Sequence, residues 1–251
     1  MNQKQLLDNH RKNWNMIADD WFGATSLPRY GCYIPTEDDL KLFPDLTGKT
    51  VLDIGCGSGH SLKWCAEHGA RELYGVDLSD RQLENAQKLL TENGYFPKLF
   101  RSPMEEDCGI PKNFFDIVYS IYAIGWTTDL QHTFDLIGSY IKQGGTFLFS
   151  WDHPLMHCVD FKEQELVFSG SYDEKEPFTF TFKGGCEVSL TNRRYCDYIN
   201  ALSNAGFAVV KLIEETDSQT LAQEAEFTSK YYSPFKAKKF PLSFVIKAIK
   251  L

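Results

Sequence analysis

Residues 50–61 read Thr-Val-Leu-Asp-Ile-Gly-Cys-Gly-Ser-Gly-His-Ser, and no other segment restricts the fold of this chain as tightly. Thr50 to Ile54 is short and apolar, as a buried strand is, and it feeds three glycines at alternate positions, Gly55, Gly57 and Gly59. A helix start at His60 and Ser61 is expected to follow. Strand, glycine turn and helix together make a site for a nucleotide-like ligand. Glycine lets the backbone come close to the ligand, and a helix N-terminus offers unpaired N–H groups. A dinucleotide fingerprint wants glycine or alanine where His60 stands, and a phosphate-binding loop wants a lysine that this turn lacks. Asp53, just before the glycines, would repel a pyrophosphate. It suits a cationic, amino-acid-bearing ligand instead.

Eighteen residues after Gly59, Glu72-Leu73-Tyr74-Gly75-Val76-Asp77 is a second strand-like run ending in a carboxylate. An acid at the tip of the second strand is where a parallel α/β sheet meets ribose hydroxyls. Ser79 and Gln82 then have the spacing of a helix capping box.

With these segments the chain resembles the class I S-adenosylmethionine-dependent methyltransferases of small molecules. The resemblance extends in order through Phe114 to Ser120 as a fourth strand and Gly144-Gly145 leading into a fifth. It continues through Tyr195 to Phe207 as a late helix and sixth strand, and Pro241 to Ala248 as a closing strand. It implies an α/β, doubly wound, mostly parallel seven-stranded sheet with an antiparallel last strand, and S-adenosylmethionine as cofactor. It further implies that Gly55, Cys56, Gly57 and Gly59 cradle the methionyl part and that Asp53 sits near its amine. Asp77 would take the ribose, Leu78 would lie against the adenine, and Ser120 would border the site from the fourth strand. Pro103, Met104 and Glu105 stand where the family has its adenine-contacting loop. Ser102-Pro103-Met104-Glu105 departs from the acidic pattern common there, so backbone groups or Glu105 must serve.

Composition narrows the function. The formal net charge of −8 lacks the basic footprint of a nucleic-acid binder. Seven cysteines carry no metal-ligand spacing, which fits reduced thiols in a cytoplasm and no metal site. No apolar run approaches membrane-spanning length, and the polar start is no signal peptide. Aromatic residues reach 14%, which suits either an aromatic-lined pocket or an aromatic-rich core.

The chain reads as a single domain with four parts. Residues 1–46 form an N-terminal helical cap, in which Leu7, His10, Trp14, Ile17 and Trp21 make one stripe, and Glu37 to Phe43 a further short helix. Residues 47–154 form the cofactor-binding core. Residues 155–192 alternate like strands, with Gly184-Gly185 as a hairpin turn, and make a β-rich insertion that is either a lid or an interface. Residues 193–251 complete the sheet. Monomer and homodimer both remain open.

For the acceptor, the tip of the fourth strand presents Tyr122 and Trp126, which with Trp14 and Trp21 either box a small-molecule substrate or fill a lid core. Methyl transfer needs alignment and desolvation more than a dedicated base. Where a base is needed, His153 at the end of the fifth strand is the candidate, with Tyr122 beside it; His153-Pro154 also suits a plain turn. His10, His60 and His68 read as surface or helix residues, and Arg193-Arg194 as a solvated helix start. A catalytically silent module that binds S-adenosylmethionine or its product is the alternative in another class. Turnover separates the two.

Overall fold

The computed structural model describes residues 2–182, 185 and 187–251. Gly184 of the Gly184-Gly185 turn expected from the sequence lies outside the described residues.

A seven-stranded sheet runs through the molecule in the order β10-β11-β5-β4-β1-β2-β3. Its strands are β1 (Thr50–Ile54), β2 (Glu72–Asp77), β3 (Lys98–Arg101), β4 (Phe115–Ile121), β5 (Ile141–Asp152), β10 (Phe207–Ile213) and β11 (Ser243–Lys250). β1 pairs in parallel with both β2 and β4, and β4 with β5, while β11 runs antiparallel between β5 and β10. Every residue of β1 is buried, because the strand is covered on both faces and hydrogen-bonded on both edges. Such a strand reads as a continuous apolar run without alternation. The chain order reverses between β1 and β4, and the crevice beyond the carboxyl ends of the strands at that point is where open α/β sheets bind ligands.

Helices α3 (His60–Glu67), α4 (Asp80–Glu92), α5 (Leu130–Tyr140) and α6 (Tyr195–Asn204) connect the strands. One face of the sheet buries Phe147 and Phe149 against Phe134 and Tyr198. The other buries Val51, Ile117, Tyr119 and Leu148 against Leu62, Leu90 and the segment 27–46. The aromatic surplus therefore fills a core as well as the cleft described below.

Helix α1 (Gln3–Ile17) stops one turn earlier than the stripe suggests, and Trp21 follows it in a run of turns. The segment expected as a helix from Glu37 to Phe43 is one turn, α2 (Glu37–Leu40), ended by Lys41 at a φ of 50°. Between β5 and α6 lie two hairpins, β6 (Val159–Lys162) with β7 (Glu165–Phe168) and β8 (Phe178–Thr181) with β9 (Glu187–Leu190). The first turns through Glu163 and Gln164, both at positive φ, as a two-residue loop matched to strand twist requires. The second packs its β9 strand on α1. Two short helices, α7 (Ser218–Ala222) and α8 (Pro234–Ala237), bridge β10 and β11. Among the described residues no helix is long and apolar enough to cross a membrane.

Candidate functional site

A cleft opens over the carboxyl ends of β1, β2 and β4. Its floor is the turn after β1. Gly55, Gly57 and Gly59 have φ values of 75°, 51° and 78°, a region that side-chain-bearing residues avoid. Gly57 donates its N–H to Asp77 Oδ2 at 2.8 Å, and Ser79 donates its N–H to Asp77 Oδ1 at 2.8 Å. The carboxylate at the end of β2 thus holds the glycine loop and the start of α4 together. Each of its oxygens keeps a second acceptor site for a ligand.

The electrostatics call for a cation. Asp53 is buried, and its Oδ1 has no hydrogen-bond partner. Burial, followed by the neighbouring Asp77, pushes its carboxyl well above the usual range. Burial pushes Asp77 up to about 6, against the pull of its backbone hydrogen bonds. A second buried oxygen without a partner is Gln82 Oε1, on the same cleft. The sequence casts Gln82 as the return half of a capping box. Ser79 does accept from the Gln82 N–H, but Asp77 already occupies the Ser79 N–H, so the Gln82 side chain turns to the cleft. Two buried acceptors in search of a donor and a loop that admits backbone contact fit the ammonium-bearing S-adenosylmethionine that the sequence implies.

Leu78, Pro103, Met104 and Glu105 line the adjoining wall. Glu105 is committed to the protein: its Oε1 accepts from the Thr128 N–H at 2.9 Å and from the Thr128 hydroxyl, fastening the loop beyond Trp126. Cys56 lines the cleft and is buried, with its thiol pushed well up by burial.

The roof is aromatic. The Trp14 ring meets Trp126 at 5.2 Å and Trp21 at 6.0 Å, and Phe182 stacks on Trp21 at 6.0 Å. Trp14 and Trp21 come from the cap, Trp126 from the turn after β4 and Phe182 from the end of β8, so three separate parts of the chain close over the glycine loop. The strap after α1 is tied down by two serines of the opposite floor: Gly23 donates to Ser58 Oγ and Leu27 to Ser61 Oγ, each at 3.1 Å. Arg193 donates to the carbonyls of Gly125 at 3.2 Å and Thr127 at 2.6 Å. It fixes the Trp126 turn rather than lying solvated.

Four expectations need correction. His153 does not line the cleft: it is buried, Nε2 lies 2.8 Å from Glu214 Oε1, and Nδ1 accepts from the Leu155 N–H at 3.1 Å. Nδ1 caps the turn at Pro154 and Nε2 is held by the remote Glu214, so both ring nitrogens are taken. Ser120 lies beneath the floor, fully buried, and donates its hydroxyl to the Ile54 carbonyl at 2.7 Å. Gly59 packs away from the cleft, where a Cβ would meet the Ala86 Cβ at 2.9 Å, so it seats α3 against α4. Tyr122 does line the cleft, at a φ of 55°, but its hydroxyl is engaged with Asp152 and, at 2.9 Å, with Ser243 Oγ.

His10 and His60, read from the sequence as surface or helix residues, both line the cleft. His10 is 2% exposed, with Nε2 2.9 Å from the Ser189 carbonyl of β9 and its ring edge-on to Trp126 at 5.2 Å. Its helical spacing marks only a buried face; the hairpin that completes its surroundings is remote in sequence. Among the described residues no cluster of three or more His, Cys, Asp or Glu side chains is placed to hold a metal ion.

A family model described as a methyltransferase domain matches residues 52–149. An uncharacterised protein of Haemophilus influenzae is 35% identical over 207 residues, covering 76% of this chain and 78% of that protein. A probable S-adenosylmethionine-dependent methyltransferase of Saccharomyces cerevisiae is 31% identical over 133 residues; the match covers 52% of this chain and 45% of that relative, less than half its length. The crystal structure of an S-adenosylmethionine-dependent methyltransferase from Mesorhizobium loti superposes with a TM-score of 0.71 at 23% identity, covering 84% of this chain and 95% of that one. At that identity the likeness speaks for the fold.

Proposed function

Because this chain belongs to the class I S-adenosylmethionine-dependent methyltransferases, we propose that it methylates a small, neutral, planar acceptor held beneath the N-terminal cap. The observation that carries this reading is the wall of Trp14, Trp21 and Trp126 facing the glycine loop across one cleft. Indole faces favour flat apolar partners, and the carboxylates Asp53, Asp77 and Glu105 on the same cleft oppose an anionic one. No observation favours a silent binding module.

Bound S-adenosylmethionine supplies an electrophilic methyl group on a sulfonium. Asp77 accepts from the ribose hydroxyls through its spare lone pairs. Asp53 and Gln82 accept from the ammonium, which relieves two otherwise unsatisfied buried oxygens. Gly57 keeps that approach open: a Cβ there would point toward Gln82 Oε1 at 3.9 Å, into the space the amino acid needs. Leu78 and Met104 flank the adenine with apolar surface. Tyr122 and Trp126 form the acceptor side, and the tryptophan roof excludes water so that the acceptor atom is aligned and desolvated. The second hairpin of the 155–192 insertion, through Phe182, acts as the lid that completes this roof.

Calorimetry with S-adenosylhomocysteine, followed by methyl transfer to a panel of aromatic alcohols and amines, tests the proposal. Binding in the micromolar range, about −7 to −8 kcal/mol, is expected, with no comparable affinity for a nicotinamide dinucleotide. Transfer to anionic acceptors only would overturn the acceptor reading.

A further inference from the structure

His10 is a cleft-lining side chain that cofactor recognition does not employ. The Ser189 carbonyl can only accept, so the 2.9 Å contact fixes the proton of the neutral ring on Nε2. Nδ1 is then the nitrogen with the lone pair, and among the described residues nothing donates to it. The side chain is buried and lines the cleft. Burial lowers the proton affinity of the ring despite the carbonyl, so it stands neutral at neutral pH. The Trp126 ring packs edge-on beside it, on the acceptor side. A neutral imidazole with one nitrogen anchored and the other open to a desolvated site is arranged as a general base.

We infer that His10 is the base for the methyl acceptor, and that the acceptor atom is a phenol or enol hydroxyl. This inference rests on the reading of the cleft as a methyl-transfer site. The oxygen–carbon bond forms as the carbon–sulfur bond breaks, and that bond's electron pair leaves with the sulfur. The hydroxyl proton passes to Nδ1 and goes to solvent when the cap opens. An acceptor that is already anionic would have no use for the residue. The base sits on α1 and its orienting carbonyl on β9, so it is in place only when cap and second hairpin meet. Proton removal is thereby confined to the closed, dry site.

The test uses the full chain, with 2-naphthol and catechol as acceptors and S-adenosylhomocysteine formation as the signal. His10→Ala is expected to lower kcat by about a hundredfold or more, while S-adenosylhomocysteine affinity stays within about threefold. His10→Gln, which can still donate to the Ser189 carbonyl, is expected to be equally slow. If His10→Gln restores wild-type kcat, the residue merely ties cap to hairpin and the inference falls. It also falls if His10→Ala turns over at the wild-type rate, or if the wild type binds S-adenosylhomocysteine yet methylates neither alcohol. Failure to bind S-adenosylhomocysteine at all would instead strike the cofactor reading. Nitrogen NMR of the wild type needs no variant: Nε2 protonated, Nδ1 bare, and the Nδ1 signal moving when 2-naphthol joins the S-adenosylhomocysteine complex are expected. A resting ring protonated on Nδ1 overturns the inference.

Discussion

Asp53 and Asp77 share a buried cleft, and each carboxyl is raised from its ordinary value because ionising there means losing water. Below about pH 6 Asp77 takes up a proton, so a ligand that needs the carboxylate must displace it. S-adenosylhomocysteine affinity is therefore expected to fall roughly tenfold per pH unit on acidification below that point, with proton release visible by calorimetry in two buffers. The sign for folding is opposite. A raised carboxyl pKa means the native state holds protons that the unfolded chain has lost, so these groups favour the free protein most at low pH and less as pH rises through about 6. Asp77→Ala should weaken the cofactor by about 1.5–3 kcal/mol and remove most of the acid dependence; unchanged affinity would reduce Asp77 to a fastening for Gly57 and Ser79. Asp77 is legible in the sequence because a strand tip defines its place. Gln82 and His10 are not. The local capping pattern claims Gln82, and the partner of His10 lies 179 residues away.

Among the elements, the junction of α3 with α4 leaves no room for a side chain at Gly59. Gly59 stands at a φ of 78° with the Ala86 Cβ 2.9 Å from where its own Cβ would be. Gly59→Ala should destabilise by about 2–4 kcal/mol, adding left-handed strain to overpacking. Gly48→Ala, at a φ of 71° but facing open space, should lose only about 1–2 kcal/mol. Equal losses by urea unfolding would mean that packing at Gly59 is unimportant. Helix α1 is attached differently: Arg11 and Asn15 reach Asp80, and Arg81 and Asn85 reach Asp19, all at the start of α4. These ion pairs are largely exposed, and exposed pairs stabilise little; the tryptophans provide the main hold. Deleting residues 1–24 should leave a folded core with weaker S-adenosylhomocysteine binding and no turnover. Binding equal to that of the full chain would make the cap peripheral. Periodicity located α1 but ran on to Trp21, because Trp21 returns to the same face through turns and helical spacing cannot tell the two apart. His153 differs from its sequence expectation for the opposite reason. Position at a strand end suggested chemistry, while Glu214 and the Leu155 N–H, which occupy both nitrogens, come from a remote segment and a local turn.

At the scale of the whole molecule, β1 and β2 are legible because buried parallel strands are written as short apolar runs, while the seven-stranded arrangement comes from the family resemblance. The use of the insertion is not legible. Alternation of Phe178, Phe180 and Phe182 shows only that one face wants an apolar partner. In the folded chain Phe178 and Phe180 stack on each other at 5.7 Å, whereas Phe182 leaves the strand and joins Trp14, Trp21 and Trp126. That junction lies within one copy of the chain, which favours a lid over an interface as the role of this hairpin. Phe182→Ala should then leave S-adenosylhomocysteine affinity and the gel-filtration volume unchanged while raising KM for the aromatic acceptor by about tenfold, since a ring stacked in a desolvated cluster contributes about 1–2 kcal/mol. Phe180→Ala, one step back along the strand and outside the tryptophan cluster, should raise it less. A dimer that dissociates on loss of Phe182, with KM untouched in the remaining assembled fraction, would reverse the assignment: the hairpin would be an assembly element, and the acceptor would be enclosed by Tyr122, Trp126 and the cap alone.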